Sequence, residues 1–537
     1  MTAPPGKNIS TKLEWFAAAL VTLAILWLHF HFWRHAGGLW RDEVNTISLA
    51  QSHSFEVMTH DSFPILMPLL VELWGKLGFG GTDLGLRFVG MIFGLAIPAA
   101  FWAVARATRQ PPLFSLVLFG LNALLICYGD SLRAYGLGGA LIVFALAAMW
   151  SLLKKPAWPR AALLALAAMF SVQALFQNSV LFFAVCLGGF AVCARRKDFS
   201  TALKILCAGM VAALSLLPYY THLAALPKGA VELRRGFSPF ITSLNYEMAT
   251  GFPFEQFAVV WKMLAVIVVG LALLSLRKKS AGDKVEGAEL PLFAGVTLAA
   301  VVVAFITFLW FAAVAARPWY FLPPLALAAA CFDFGISLPA LPRLVRVAGF
   351  GFLIGTALVA APAAHSDLCG HFTNVDRLAR RVAAEASPQD FVVVTPWFCG
   401  ITFARYFHAP TPWETLPPIT DHATHRYDLV LDAMKDTNSL APVLEKISAT
   451  LRAGHRVWVV GRLPAPPADG SAPPGLPPPP LAGYGWSDMP YTASWAARTG
   501  FFLAQHSARF GSLPDTGEGM VNPQENLQLF LAEGWRD

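Results

Sequence analysis

Acids, arginines and tyrosines recur at the ends of apolar runs in this chain, and their chemistry is proton transfer and anion binding. In GGLWRDEVNT, residues 37–46, Asp42 and Glu43 follow an apolar run of about twenty residues, the length that crosses a hydrocarbon core. A carboxylate in that place is either simply solvated or a general base. Glu43 has two roles open to it: positioning a substrate or supporting Asp42, or capping the helix that follows. Arg133 in YGDSLRAYGL (128–137) and Arg317 in RPWYFLPPLAL (317–327) also sit at run ends, with Tyr135 and Tyr320 close behind them. A guanidinium there either snorkels to the interface or grips a phosphate with its planar fork. Lys228, Arg234 and Arg235 in PKGAVELRRGF are further cations for a phosphate or for anionic headgroups. Asp130 or Asp61, together with Asp42, offers hard oxygen ligands of the kind that suit Mg²⁺ or Mn²⁺; no other cofactor is suggested. His60, beside Asp61 in HDSFPILMPLLVELW (60–74), is like His53, His222 and His371 an outer histidine, structural by default.

The elements that must hold these groups are mostly membrane helices. Of the 537 residues, 56% are hydrophobic and 14% charged, and the mean hydropathy of +0.54 excludes an ordinary soluble enzyme. Apolar runs give roughly eleven spans, at 13–33, 87–105, 112–128, 136–153, 161–177, 179–194, 203–220, 257–276, 291–312, 318–336 and 345–364. The first is too long for a signal-peptide core and has no small-residue cleavage site, so it reads as a retained anchor. The net charge of +7 collects in alternate short loops, among them Arg106 with Arg109, Lys154 with Lys155, and Arg195 to Lys197. The positive-inside rule puts those loops and the N-terminus in the cytoplasm, and explains the basic balance without nucleic acid. Residues 34–86, 128–135, 221–256, 313–317 and everything after 364 then face outward, which gathers the candidate residues on one side. Within the first outer loop, 45–58 and 64–77 have helical apolar spacing but are too short to span, as expected of helices lying in the interface.

After residue 365 the pattern changes. A helix over 375–386, a strand FVVVT at 391–395, a helix near 438–452 and a strand in RVWVVG at 456–461 predict a small Rossmann-like α/β domain over 366–463. No glycine-rich phosphate fingerprint joins them. PAPPADGSAPPGLPPPP, 464–480, is a proline-rich linker or loop, and 481–537 is an outer region without readable periodicity. The fold class is therefore a polytopic α-helical membrane protein, residues 1–365, with a C-terminal extracytoplasmic α/β domain. The seven cysteines have no metal-ligand spacing; Cys369 and Cys399, in the polar part, are either a pair or two free thiols.

In their order, these stretches resemble the GT-C class of glycosyltransferases that use polyprenyl-phosphate sugars, in particular the branch of the aminoarabinose transferases, protein mannosyltransferases and RgtA-like enzymes. WRDEVNT matches the Asp-Glu pair of the class's first outer loop. His60, Asp61 and Pro64 approximate its histidine and proline patch, with Phe63 breaking the usual double proline. GTDLGLRFVGMIFGLAIP, 81–98, with Arg87, is similar to the start of its second span. Tyr128, Arg133 and Tyr135 match an aromatic, arginine, tyrosine motif, although Ser131 stands where an acid often does and Asp130 is the nearest carboxylate. Arg317, Tyr320, Pro323 and Pro324 approximate an Arg-Tyr-Leu-Leu-Pro motif, with two residues inserted after the arginine. The resemblance covers roughly the first 365 residues and implies a multi-pass enzyme of the bacterial inner membrane. It implies a polyprenyl-phosphate sugar as donor, an envelope glycan, glycolipid or protein as acceptor, and inversion at the sugar with Asp42 as base.

Two other classes share parts of this description. A lipid-linked glycan transporter or flippase would show internal repeats and charges at mid-membrane, and this sequence has neither. A glycan ligase using a lipid pyrophosphate would not need the early Asp-Glu pair.

Overall fold

A computed structural model describes residues 9–59, 61, 63–221, 236–252, 256–277, 286–312, 316–336, 342–465, 471–473, 475–481, 486–514, 517 and 519–537. His60, His222, Lys228, Arg234 and Arg235 lie outside the described residues. The chain divides into two compact units.

The helical unit comprises Met1–Arg34, Ser54–His222 and Arg235–Leu368. In chain order its helices start with α1 (Ile9–His35), the last residue of which belongs to the other unit, as does all of α2 (Arg41–Gln51). The unit continues with α3 (Phe55–Thr59), α4 (Leu66–Trp74), α5 (Asp83–Thr108), α6 (Leu113–Leu118), α7 (Ala123–Gly129), α8 (Tyr135–Lys154), α9 (Trp158–Ala174) and α10 (Asn178–Arg196). It ends with α11 (Phe199–Leu214), α12 (Phe237–Thr250), α13 (Gln256–Arg277), α14 (Glu286–Ala312), α15 (Leu322–Gly335) and α16 (Arg343–Asp367). Among the described residues, eight helices are long and apolar enough to cross a membrane.

Three of the expected spans take a shorter form. The run 112–128 is broken into α6 and α7. Asp333 of α15 accepts the Phe114 and Ser115 backbone N–H groups at the start of α6, and Asn122 starts α7 afresh by accepting the Leu125 N–H. A side chain at Gly120, between the two, would strike Ile25. The run 318–336 becomes a 3₁₀ turn, Pro318–Phe321, followed by the 14-residue α15, whose residues are all buried. The run 161–177 is the 17-residue α9, ended by Leu175 in extended backbone. The interfacial helix expected over 45–58 is also divided, because His53 adopts a left-handed φ of 50° and separates α2 from α3.

At the middle of this unit α8 packs on α5, α9, α10 and α15, and its apolar side chains are buried on nearly every side. A helix apolar all round belongs in such a place. Ion pairs close the unit's basic ends: Arg196 binds Glu289, and Arg346 donates to Glu14 at 2.7 Å.

The α/β unit contains His35–His53 and Cys369–Asp537. After α17 (Val375–Glu385) come β1 (Phe391–Thr395), α18 (Gly400–Tyr406), β2 (Trp413–Thr415), α19 (Tyr427–Lys435), α20 (Ala441–Arg452), β3 (Val457–Gly461), α21 (Met489–His506), β4 (Ser507–Leu513) and β5 (Gln528–Trp535). The sheet order is β2-β1-β3-β5-β4, parallel across the first three strands and antiparallel beyond. Both strands read from the sequence are central. Val393, Val457 and Val459 point to one core, with Ile447, Val430 and Trp495, while Val392, Val394, Trp458 and Val460 point to the other, with Leu378, Val382 and Phe403. That alternation is what a strand covered on both faces requires. Residues 489–535 supply α21, β4 and β5 and thereby complete this sheet. Cys369 is exposed, Cys399 is buried, and the two do not form a disulfide.

Candidate functional site

In the α/β unit the candidate base stands at the start of α2. The approach to that helix is fixed by two glycines: Gly37 has a φ of 71°, and a Cβ there would overlap the His371 ring, while one on Gly38 would lie 2.7 Å from Asp376. The Ala36 carbonyl accepts the Phe372 N–H at 2.7 Å, and the Leu39 N–H donates to the Tyr406 hydroxyl at 2.7 Å. α2 is then pinned at its first residue. Glu525, wholly buried, accepts both the backbone N–H of Arg41 (3.1 Å) and its Nη1 (3.4 Å), and the Thr373 hydroxyl holds its other oxygen. Burial pushes the Glu525 carboxyl up, against the pull of Arg41. The Arg41 guanidinium lies over the rings of Trp40 and Phe398, at 5.0 and 4.5 Å.

The two acids that follow have different surroundings. Glu43 is fully buried and turns back to accept the Trp40 N–H at 3.2 Å, closing the N-terminal cap of α2. Asp42 keeps 18% of its side chain exposed. Its Oδ1 lies 3.2 Å from Nε2 of His425 and 3.8 Å from Nε of Arg41. The N–H of His425 in turn donates to Oδ1 of Asn45, one turn along α2. His425 stands in a loop where Arg426 pairs with both Asp421 and Asp428; against its burial the Asp421 carboxyl is held below the usual range by the Ala423 N–H and then by Arg426, and Arg426 lowers Asp428 as well. Nothing about His425 is legible as functional in the sequence. Only the density of polar residues in TDHATHRYD, 420–428, sets that stretch apart.

In the helical unit a second assembly forms around Arg133. The turn that carries it is drawn onto α5 by absent side chains: a Cβ on Gly90 would overlap the Asp130 carbonyl, and one on Gly94 the Asp130 carboxylate. Asp130, wholly buried, bonds to His29 at 2.6 Å. Arg87, 1% exposed, lies over Phe32 and contributes charge to the same interior group. Arg133 extends over the face of Phe63 at 4.1 Å, with Asp61 at 3.9 Å. Phe63, which interrupts the proline patch, is thus the platform for this guanidinium. Tyr135 meets Phe63 edge-on at 5.5 Å and Tyr320 at 6.1 Å, while Trp319 packs on Tyr128 at 4.7 Å. Gln177 donates to the Tyr320 carbonyl at 3.2 Å. Arg317 is half-buried at the head of the 3₁₀ turn, and its side chain makes no ion pair or hydrogen bond among the described residues.

The helical unit therefore brings together Asp61, Arg133, Tyr135 and Tyr320. It encloses Arg87 and Asp130 in the interior. Of the three acids named for a divalent cation, Asp130 is bonded to His29, Asp42 has a guanidinium on its Oδ1 side, and Asp61 faces Arg133 at 3.9 Å.

The chain matches no protein-family model and no curated protein sequence. Its fold, however, is shared with solved membrane glycosyltransferases. ArnT from Cupriavidus metallidurans in the apo state superposes with a TM-score of 0.50 at 12% identity, covering 82% of this chain and 92% of that one. The oligosaccharyltransferase of Archaeoglobus fulgidus, solved with Zn and sulfate, gives 0.47 at 11% identity over 95% and 73% of the two chains. The arabinofuranosyltransferase AftD from Mycobacteria gives 0.42 at 15% identity, over 97% of this chain and 40% of that one. The chain has the GT-C fold: a multi-pass helical body with a C-terminal domain built on a small sheet.

Proposed function

We propose that this protein is an integral-membrane glycosyltransferase that moves a sugar from a polyprenyl-phosphate donor to a hydroxyl of an extracytoplasmic acceptor, with inversion. The observation that carries the reading is the contrast within the Asp-Glu pair. Glu43 closes the cap, whereas Asp42 is held at the first turn of a pinned helix with part of its side chain exposed. A fixed, accessible carboxylate is what a general base needs. The likeness in fold to ArnT and the order of the outer-loop motifs support the donor class.

In the proposed reaction the acceptor O–H gives its proton to Asp42 as its oxygen attacks the anomeric carbon. The bond from that carbon to the phosphate oxygen breaks on the opposite face, and polyprenyl phosphate leaves with the electron pair. Arg133 stabilises the charge that develops on the phosphate, its guanidinium oriented by Phe63 and Asp61. Tyr135 and Tyr320 line the same assembly, and Arg317 adds a second guanidinium for the phosphate. Asp130, bonded to His29 of α1 and near the charge of Arg87, fastens the Arg133 turn. His60, from its motif, and Lys228 and Arg234, from their charge in PKGAVELRRGF, are further candidate donor contacts. The acceptor is an envelope glycan, a glycolipid or a protein, and the enzyme acts at the outer face of a bacterial inner membrane with its N-terminus in the cytoplasm.

The test is transfer of radiolabelled sugar from a polyprenyl phosphate by the purified protein in lipid nanodiscs. Label should pass to a delipidated envelope extract with wild-type protein and fail to do so with Asp42→Asn. Passage of intact donor across the bilayer of reconstituted vesicles without transfer would establish a flippase instead. For the orientation, cysteine at exposed position 512 should react with an impermeant maleimide from outside, and cysteine at exposed position 197 only after permeabilisation.

A further inference from the structure

The base assigned above does not stand alone, and the residue on it comes from far along the chain. His425 is 383 positions from Asp42, yet its Nε2 is 3.2 Å from Oδ1 and both side chains are largely buried. The other ring nitrogen, Nδ1, is buried without a hydrogen-bond partner among the described residues. The Asp42 carboxylate can only accept, so the ring nitrogen facing it must carry a hydrogen for the two to bond. The hydrogen therefore belongs on Nε2, where it is donated to Asp42. The ring itself is confined by the rings of Trp397, at 6.2 Å, and Tyr427, at 5.8 Å. The backbone is fixed independently, since the His425 N–H donates to Asn45 at 3.1 Å.

We propose that His425 is a positioning residue for Asp42. Its Nε2–H holds Oδ1 and so sets the carboxylate rotamer. The α/β unit then does more than carry the chain's end: it contributes the group that orients the base. This inference rests on Asp42 being the base.

Because of the Asn45 anchor, the loop stays attached to α2 when the imidazole is removed. His425→Ala is expected to lower kcat by about 10- to 100-fold, the cost of a misplaced catalytic group, while KM for the donor stays within about twofold. His425→Gln, whose amide N–H reaches towards the same oxygen, should recover much of the loss, and His425→Phe, similar in size without a donor, should not. The double variant Asp42→Asn with His425→Ala should be no worse than Asp42→Asn, since the two act as one unit. His422→Ala, which removes a ring stacked on Trp413 in the same loop, is the control and should leave kcat unchanged. Wild-type kcat in His425→Ala, equal activity in the Gln and Phe variants, or an equal loss in His422→Ala would each overturn the proposal. An active Asp42→Asn would overturn the base assignment instead, so the two failures are distinguishable.

Discussion

Arg41 and Glu525 are 484 positions apart and are joined twice, through the backbone N–H at 3.1 Å and through Nη1 at 3.4 Å. The C-terminal segment thus grips the first residue of α2, immediately before the candidate base. Breaking a buried pair from one side leaves the other charge uncompensated, at a cost of about 3–5 kcal/mol. Glu525→Ala is therefore expected to lower the melting temperature of the detergent-solubilised protein and to reduce turnover. Glu525→Gln keeps an acceptor for the Arg41 N–H and should lose less of both. Equal melting curves for wild type and the alanine variant would show that the pair does not hold α2.

Within the acidic pair the two positions should separate cleanly. Asp42→Asn retains shape but cannot take a proton, and turnover should fall by about two to four orders of magnitude with donor binding unchanged. Glu43→Gln preserves the cap, since glutamine also accepts from the Trp40 N–H, and should stay near wild type. Glu43→Ala removes the cap and should cost about 1 kcal/mol of stability. A larger loss of turnover in Glu43→Gln than in Asp42→Asn would move the base to Glu43.

A third expectation concerns acid stability of the α/β unit. Asp390, just before β1, is buried, which disfavours its charge, but it accepts N–H groups from Arg456, Ser387 and Trp458 and its carboxyl lies below its ordinary value of 3.8. A carboxyl depressed on folding stabilises above the unfolded value and loses that contribution as pH falls through the folded one. Melting of the wild type should therefore decline below about pH 4, and Asp390→Asn should both start lower, by about 1.5–3 kcal/mol, and show less of that decline. Parallel pH profiles for the two would refute the assignment.

How far the sequence discloses these arrangements depends on the range of the interaction. Valine-rich runs such as FVVVT and the long apolar segments announce themselves, because burial on all sides leaves a local signature at 391–395 and along α8. Asp42, Arg133 and Tyr135 are legible through type and position at run ends. By contrast, β4 and β5 have mixed burial and owe their place to pairing with β3 and with each other, which no local pattern encodes. The breaks at Gly120 and Asn122 look like ordinary membrane sequence until Ile25 and the Gly251 carbonyl are beside them. His425 and Glu525 are invisible for the same reason: their partners are hundreds of residues away.

The last prediction concerns the two guanidiniums, for which snorkelling and phosphate binding are distinct explanations. Arg133 lies against Phe63 at 4.1 Å, with Asp61 at 3.9 Å, a long separation for an ion pair, while Arg317 has no side-chain partner among the described residues. Lysine snorkels as well as arginine, but it cannot stack a planar group on a ring or present two parallel N–H donors. Arg133→Lys should therefore raise the donor KM or lower kcat with expression and melting unchanged, and Phe63→Leu should reproduce part of that effect by removing the platform. Arg317→Lys should weaken donor use as well, with no change attributable to Phe63. Wild-type turnover in both lysine variants would make the arginines interfacial anchors, and the phosphate contacts would then have to come from the basic stretch 228–235.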